Sequence, residues 1–90
     1  MTMPAERTRN VLQAGAFLRE LAASKAVPKS IREEAYRLLR HYPTVSDIEA
    51  IAQHEERLRE LTQSAFVRPY LTSQIEPDWF RGCPLGPHRI

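Results

Sequence analysis

A single cysteine, Cys83, excludes an intrachain disulfide and agrees with a reducing compartment. Only three glycines occur, Gly15, Gly82 and Gly86, too scattered for a phosphate-cradling loop. No stretch approaches the roughly 20 apolar residues of a membrane span, and the opening MTMPAERTRNVL lacks the basic-then-apolar order of a signal peptide. The expected location is therefore the cytoplasm, with no membrane partner. No block of like charge exists either. The 13 Lys and Arg stand against 11 Asp and Glu, so the pI near 9.0 reflects a surplus of +2 and does not by itself argue for nucleic acid.

The small surplus is unevenly placed. Residues 1–42 hold eight Arg or Lys against four acids, whereas residues 43–65 hold Asp47, Glu49, Glu55, Glu56 and Glu60 against two Arg. With 42% hydrophobic and 27% charged residues, the composition is that of a globular chain. Ninety residues suffice for one domain, which buries about 60–65% of its unfolded surface.

Hydrophobic periodicity predicts three helices. The first runs from about Pro4, suited to the N1 position, to about Ser24. Glu6 complements its dipole, and Val11, Ala14, Gly15, Leu18, Leu21 and Ala22 recur at helical spacing, with Leu12 and Phe17 widening the apolar side. Gly15 suggests close packing against another helix, since it does not favour helix by itself. After SKAVPKS, Ser30 and Glu33 have capping-box spacing, and Ile31, Ala35, Leu38, Leu39 and Tyr42 share a face up to Pro43. Thr44 and Ser46 are alternative caps for the third helix, Ser46 with Glu49 at capping-box spacing. Its apolar side is Val45, Ile48, Ile51, Ala52, Leu58, Leu61 and Ala65. Short links favour antiparallel neighbours, so the expected fold is all-α: a small three-helix bundle over residues 1–65.

Residues 66–90 differ in character. They contain Pro69, Pro77, Pro84 and Pro87 with Gly82 and Gly86, which disfavour a long helix, yet also Tyr70, Leu71, Ile75, Trp79, Phe80 and Leu85. A Pro-rich, aromatic-bearing, irregular C-terminal extension follows, packing on the bundle or on a partner.

The opening TMPAERTRNVLQ, the segment FLRELA and the stretch EAYRLLRHYPTVSDIE together resemble a family of short uncharacterised proteobacterial proteins. Its pattern is an ERTR-type start, a helix, then a Pro-linked helix ending in LLRHYP and an S-D-I segment. The likeness covers about Thr2 to Ile51. It implies a bacterial cytoplasmic origin and a discrete N-terminal helical unit, and brings no activity, cofactor or catalytic residue. The Trp-containing extension has no counterpart in that pattern.

The candidate chemistries are thin. Structural zinc needs about four ligands in close pairs. Here His41, His54, Cys83 and His88 offer only the C-x4-H of Cys83 and His88, so no metal is expected. The same pair lacks the third group that would hold a catalytic base. Glu33 with Glu34, and Glu55 with Glu56, are adjacent on helices, point in different directions and read as solvated faces. The chain is therefore expected not to be an enzyme and to carry no cofactor.

Arg7, Arg9, Lys29, Arg32, Arg37 and Arg40 could together grip phosphates, and the second and third helices superficially resemble a helix-turn-helix. Asp47, Glu49, Glu56 and Glu60 on the would-be recognition helix oppose that reading. The weighed alternative is that the arginines pair with Glu33, Glu34 and the acids of the third helix. The expected function is a non-catalytic protein-interaction or regulatory module whose partner is another protein or a second copy, as a homodimer. Tyr70, Trp79, Phe80 and Arg81 are its contact residues, since Trp, Tyr and Arg dominate interface hot spots. Arg37, Arg40 and Tyr42 form a second candidate patch. Trp79 and Phe80 have an equal reading as a lid completing the core. A small nucleic-acid-binding regulator is the alternative function.

Overall fold

This computed structural model of the chain describes residues 3–62 and 69–89, with the side chain of Thr62 excepted. Among them the fold is helical and contains no strand. Helix α1 spans Pro4–Ala23, α2 Lys29–Arg40 and α3 Val45–Thr62, and one 3-10 turn covers Pro77–Phe80. Ala65, and the boundary expected between a helical domain and an extension, lie outside the described residues.

Local chemistry sets the helix ends. Pro4 occupies the first turn of α1 and Glu6 lies beside it, as expected. Helix α2 starts at Lys29 with Pro28 as the cap residue, two residues before the start that the sequence suggested. Ser30 is therefore already inside the first turn, so the Ser30–Glu33 capping box does not form, and Glu33 pairs with Lys29 instead. For α3 the reciprocal cap belongs to Thr44 and Asp47, not to Ser46 and Glu49. Asp47 N–H donates to Thr44 Oγ1 at 3.2 Å, and Thr44 N–H donates to Asp47 Oδ2 at 3.0 Å.

That cap has a pH signature. The Thr44 backbone N–H, followed by the Thr44 hydroxyl, holds the Asp47 carboxyl below its ordinary value of 3.8. A carboxyl depressed by folding contributes stability that is fully present above the unfolded value and disappears as pH falls through the lower folded one. Asp47→Asn is expected to reduce the loss of stability below pH 3.8, measured by urea midpoints across that range. An unchanged acid limb would show that the cap contributes nothing.

Helices α1 and α2 pack against each other. The link between them is short, Ala22 lies beside Lys29, Arg32 and Tyr36, and Tyr42 returns to the middle of α1, so the pair is antiparallel. The return is close because residue 15 is glycine. A Cβ there would lie 2.9 Å from Tyr42 Cε1, 3.1 Å from Cδ1 and 3.4 Å from His88 Cβ. The Tyr42 ring cannot simply swing away, because its hydroxyl donates to the Val11 carbonyl. Gly15→Ala should gain about 1 kcal/mol in helix propensity but lose about 1–3 kcal/mol to overpacking. The expected result is net destabilisation in the native background and stabilisation in a Tyr42→Ala background, both read by thermal denaturation.

The core gathers Leu12 of α1, Val45, Ile48 and Ala52 of α3, and Leu71 of the extension. Val11, Ile75, Trp79 and Phe80 pack against it half-buried. The core is thus shared between helices and extension, and is not confined to residues 1–65. Two of the apolar faces anticipated from periodicity are only partly covered. On α2, Ala35 is buried while Ile31 and Leu38 are exposed; on α3, Ile51, Leu58 and Leu61 are exposed. Residues 45, 48 and 52 lie on one side of α3 and 51, 58 and 61 on another, a division that spacing alone does not reveal.

Candidate functional site

The extension lies alongside α1 and runs in the same direction, held mainly by its backbone. Arg7 Nε donates to the Tyr70 carbonyl at 2.9 Å. Thr72 N–H donates at 2.9 Å to the hydroxyl of Thr8, a fully buried residue whose own hydroxyl donates to the Pro4 carbonyl. One turn and a half farther along, Gln13 Nε2 donates to the Trp79 carbonyl at 2.9 Å. Arg19 Nη1 then reaches the carbonyls of Leu85 at 2.6 Å and Pro87 at 2.9 Å. From Arg7 to Arg19 the helix rises about 18 Å, so the extension follows most of its length.

Helix α3 completes the grip from the other side. Glu55 accepts from Tyr70 N–H at 3.0 Å and Leu71 N–H at 3.1 Å, and Glu56 accepts from Ser73 N–H and its hydroxyl. These two carboxylates are therefore not the solvated face that adjacency on a helix suggested. An irregular segment laid against helices has unpaired N–H groups, and acids at the helix surface satisfy them. At the far end the chain turns at Cys83–Gly86, with Pro84 second and Gly86 at φ +75°. That turn brings the His88 carbonyl to Val45 N–H at 3.0 Å, satisfying a donor in the first turn of α3 that has no partner within the helix.

The expected contact residues fall into two separate groups. Trp79 and Phe80 sit half-buried in the 3-10 turn, with their apolar bodies against the core. Arg81 follows, exposed and paired to Asp78 at 2.9 Å. Tyr70 lies at the opposite end of the extension, 63% exposed, with the Arg7 guanidinium 4.1 Å from its ring centroid. On α2, Arg37 forks onto Glu34, which lowers the Glu34 carboxyl and raises the Arg37 guanidinium from their ordinary values. Both are exposed, so the pair adds little stability. Arg40 is exposed beside a shallow depression that includes His41, Pro43, Asp47 and Ile51. Tyr42 belongs to the packing of α2 on α1, and burial pushes its phenol up.

The charge pattern follows the expected pairing with Glu33 and Glu34, but Glu55 and Glu56 of the third helix do otherwise. Lys29 and Arg37 pair inside α2, while Glu55 and Glu56 hold backbone. Arg7, Thr8, Gln13, Arg19, Glu55 and Glu56, the residues that seat the extension, carry no signature in the sequence beyond being polar on otherwise helical stretches.

The molecular surface is large for the chain. Its accessible area is 6750 Å2. A compact monomer of 10.4 kDa is expected to expose about 5,400 Å2. The radius of gyration is 15.2 Å, against roughly 12 Å for a compact domain of this length. Large apolar side chains contribute to the excess: Phe17 and Tyr36 are each 60% exposed and Leu61 75%. Among the described residues no helix is long and apolar enough to cross a membrane. No protein-family model, curated protein or solved structure matches this chain.

Proposed function

We propose that this chain is a non-catalytic protein-interaction or regulatory module of a bacterial cytoplasm, engaging another protein or a second copy of itself. The observation that carries this reading is the excess of exposed surface together with large apolar side chains standing out on all three helices and the extension. Contiguous exposed apolar patches beyond a few hundred Å2 are characteristic of interaction sites. Tyr70 and Arg81 supply the outward contacts of the extension. Trp79 and Phe80, next to Arg81, turn their half-buried rings to the core, so that lid and contact become two sides of one segment. Arg37 and Arg40 form the second patch on α2.

The test separates contact from core. A Tyr70→Ser, Arg81→Ser double variant alters outward side chains and should keep the native melting temperature within a few degrees. In a pull-down from nuclease-treated host lysate it should lose a stoichiometric protein that the native chain retains, or, if the partner is a second copy, its dimer mass by light scattering. Retention of every partner and of the oligomeric state by this variant and by Arg37→Glu with Arg40→Glu would overturn the reading. The alternative of a nucleic-acid-binding regulator has less support, because Lys29 and Arg37 are paired to neighbouring acids and Arg7 sits on Tyr70. It predicts binding to nucleic acid that weakens steeply with salt and with the same double Glu substitution.

A further inference from the structure

Where the end of the extension meets α1 and α2, a cavity of about 310 Å3 is lined by Arg19, Leu39, His88 and Arg89. It is more enclosed than the depression beside Arg40. Three of its four walls are nitrogen donors or cations, and among the described residues no carboxylate lines it. Asp47, whose carboxylate accepts from the Thr44 backbone N–H, is not among its walls.

The donors have capacity to spare. Arg19 uses Nη1 on the Leu85 and Pro87 carbonyls, which fixes its guanidinium in place, and its Nε and Nη2 are uncommitted among the described residues. His88 is only 7% exposed, and its imidazole has no hydrogen-bond partner among the described residues. Its ring nitrogens keep some access to solvent, and the residue lines the cavity. An imidazole without a protein partner, beside two guanidiniums, offers N–H donors that an added acceptor can engage. A guanidinium fork matches the geometry of phosphate and carboxylate oxygens.

We infer that this cavity binds an oxyanion, the phosphate or carboxylate group of a small ligand, held by the Arg19 fork, His88 and Arg89 and flanked by the apolar Leu39. Small-ligand sites have volumes from about 300 Å3 upward and combine apolar walls with a few convergent polar groups, as here. Because the donors come from α1 and from the last turn of the extension, the anion ties the two together. A ligand that binds only the docked form stabilises the fold by mass action. This inference stands apart from the interaction reading and neither requires nor excludes a protein partner.

The test titrates the full chain with inorganic phosphate and separately with malonate, at ionic strength held constant with chloride. The phosphorus line width reports phosphate, and backbone amide shifts report both anions. Saturable millimolar binding that moves the amides of Gly86, His88 and Arg89 is expected. Arg89 is exposed and makes no packing contact in the core, so Arg89→Gln should fold normally and weaken binding at least ~tenfold. Arg19→Lys, which keeps the charge but loses the fork, should weaken it as well. Preference for phosphate assigns a phosphate-bearing ligand, and preference for malonate a carboxylate. No saturable binding of either anion would overturn the proposal. So would equal affinity in Arg89→Gln, or shifts confined to other residues.

Discussion

A chain ending at residue 68 is expected to show no cooperative unfolding transition. Such a chain lacks Leu71 from the core and Ile75, Trp79 and Phe80 from its margin, and it leaves Leu12 and Ile48 open on one side. Burial of large apolar side chains contributes roughly 1.5–3 kcal/mol each, discounted for partial exposure. Four of them approach the about 5–15 kcal/mol that stabilises a whole domain. Glu55, Glu56 and the Thr8 hydroxyl would lose their partners in addition. The check is calorimetry or circular dichroism against temperature. A truncated chain with a sharp transition near that of the full chain would show that the helices form a complete domain and that the extension is an accessory.

The second large effect is expected at Leu12. It is 3% exposed and touches both α3 and the extension, so Leu12→Ala should cost about 2–5 kcal/mol. For a domain of this size each kcal/mol lowers the melting temperature by about 4–8 °C. The shift should therefore be roughly 10 °C or more. Leu61→Ala removes the same atoms from a side chain that is 75% exposed and should change stability by no more than about 0.5 kcal/mol. Comparable losses at the two leucines would mean that the apolar side of α3 anticipated from periodicity is covered after all, for instance by a second copy.

The helices were legible because their signals are local. Pro4 at a first turn, Pro43 beyond the second helix and the apolar spacing of α1 each depend on residues a few positions apart. Cap assignment was less legible, since Thr44, Ser46 and Ser30 are equally competent acceptors and the choice depends on where the helix actually begins. The division of α3 into a core side and an exposed side was not legible: Ile48 and Ile51 are alike in chemistry, and only the position of Leu12 and Leu71 tells them apart. The seating of the extension was hidden for the same reason. Glu55 and Glu56 look like any surface acids until the backbone of Tyr70, Leu71 and Ser73 is laid beside them. The cavity at Arg19, His88 and Arg89 joins residues about seventy positions apart, and no short-range pattern connects them.

The parallel course of the extension along α1 has a consequence for synthesis. The bonds between Thr8, Gln13 and Arg19 and residues 72, 79, 85 and 87 join positions 64 to 68 residues apart, so their second partners are made long after the first. Domains commonly begin folding from the N-terminus while translation proceeds at about 5–20 residues per second. Here the helices cannot close their core alone, because it is completed only when the segment carrying Leu71, Ile75, Trp79 and Phe80 has also been made. Closure of the core must wait for residues 71–80, and a product stopped before them carries its Leu12 and Ile48 uncovered, open to chaperones and proteases. Residues 71–88 thus act as a check that synthesis has passed well beyond the helices they cover.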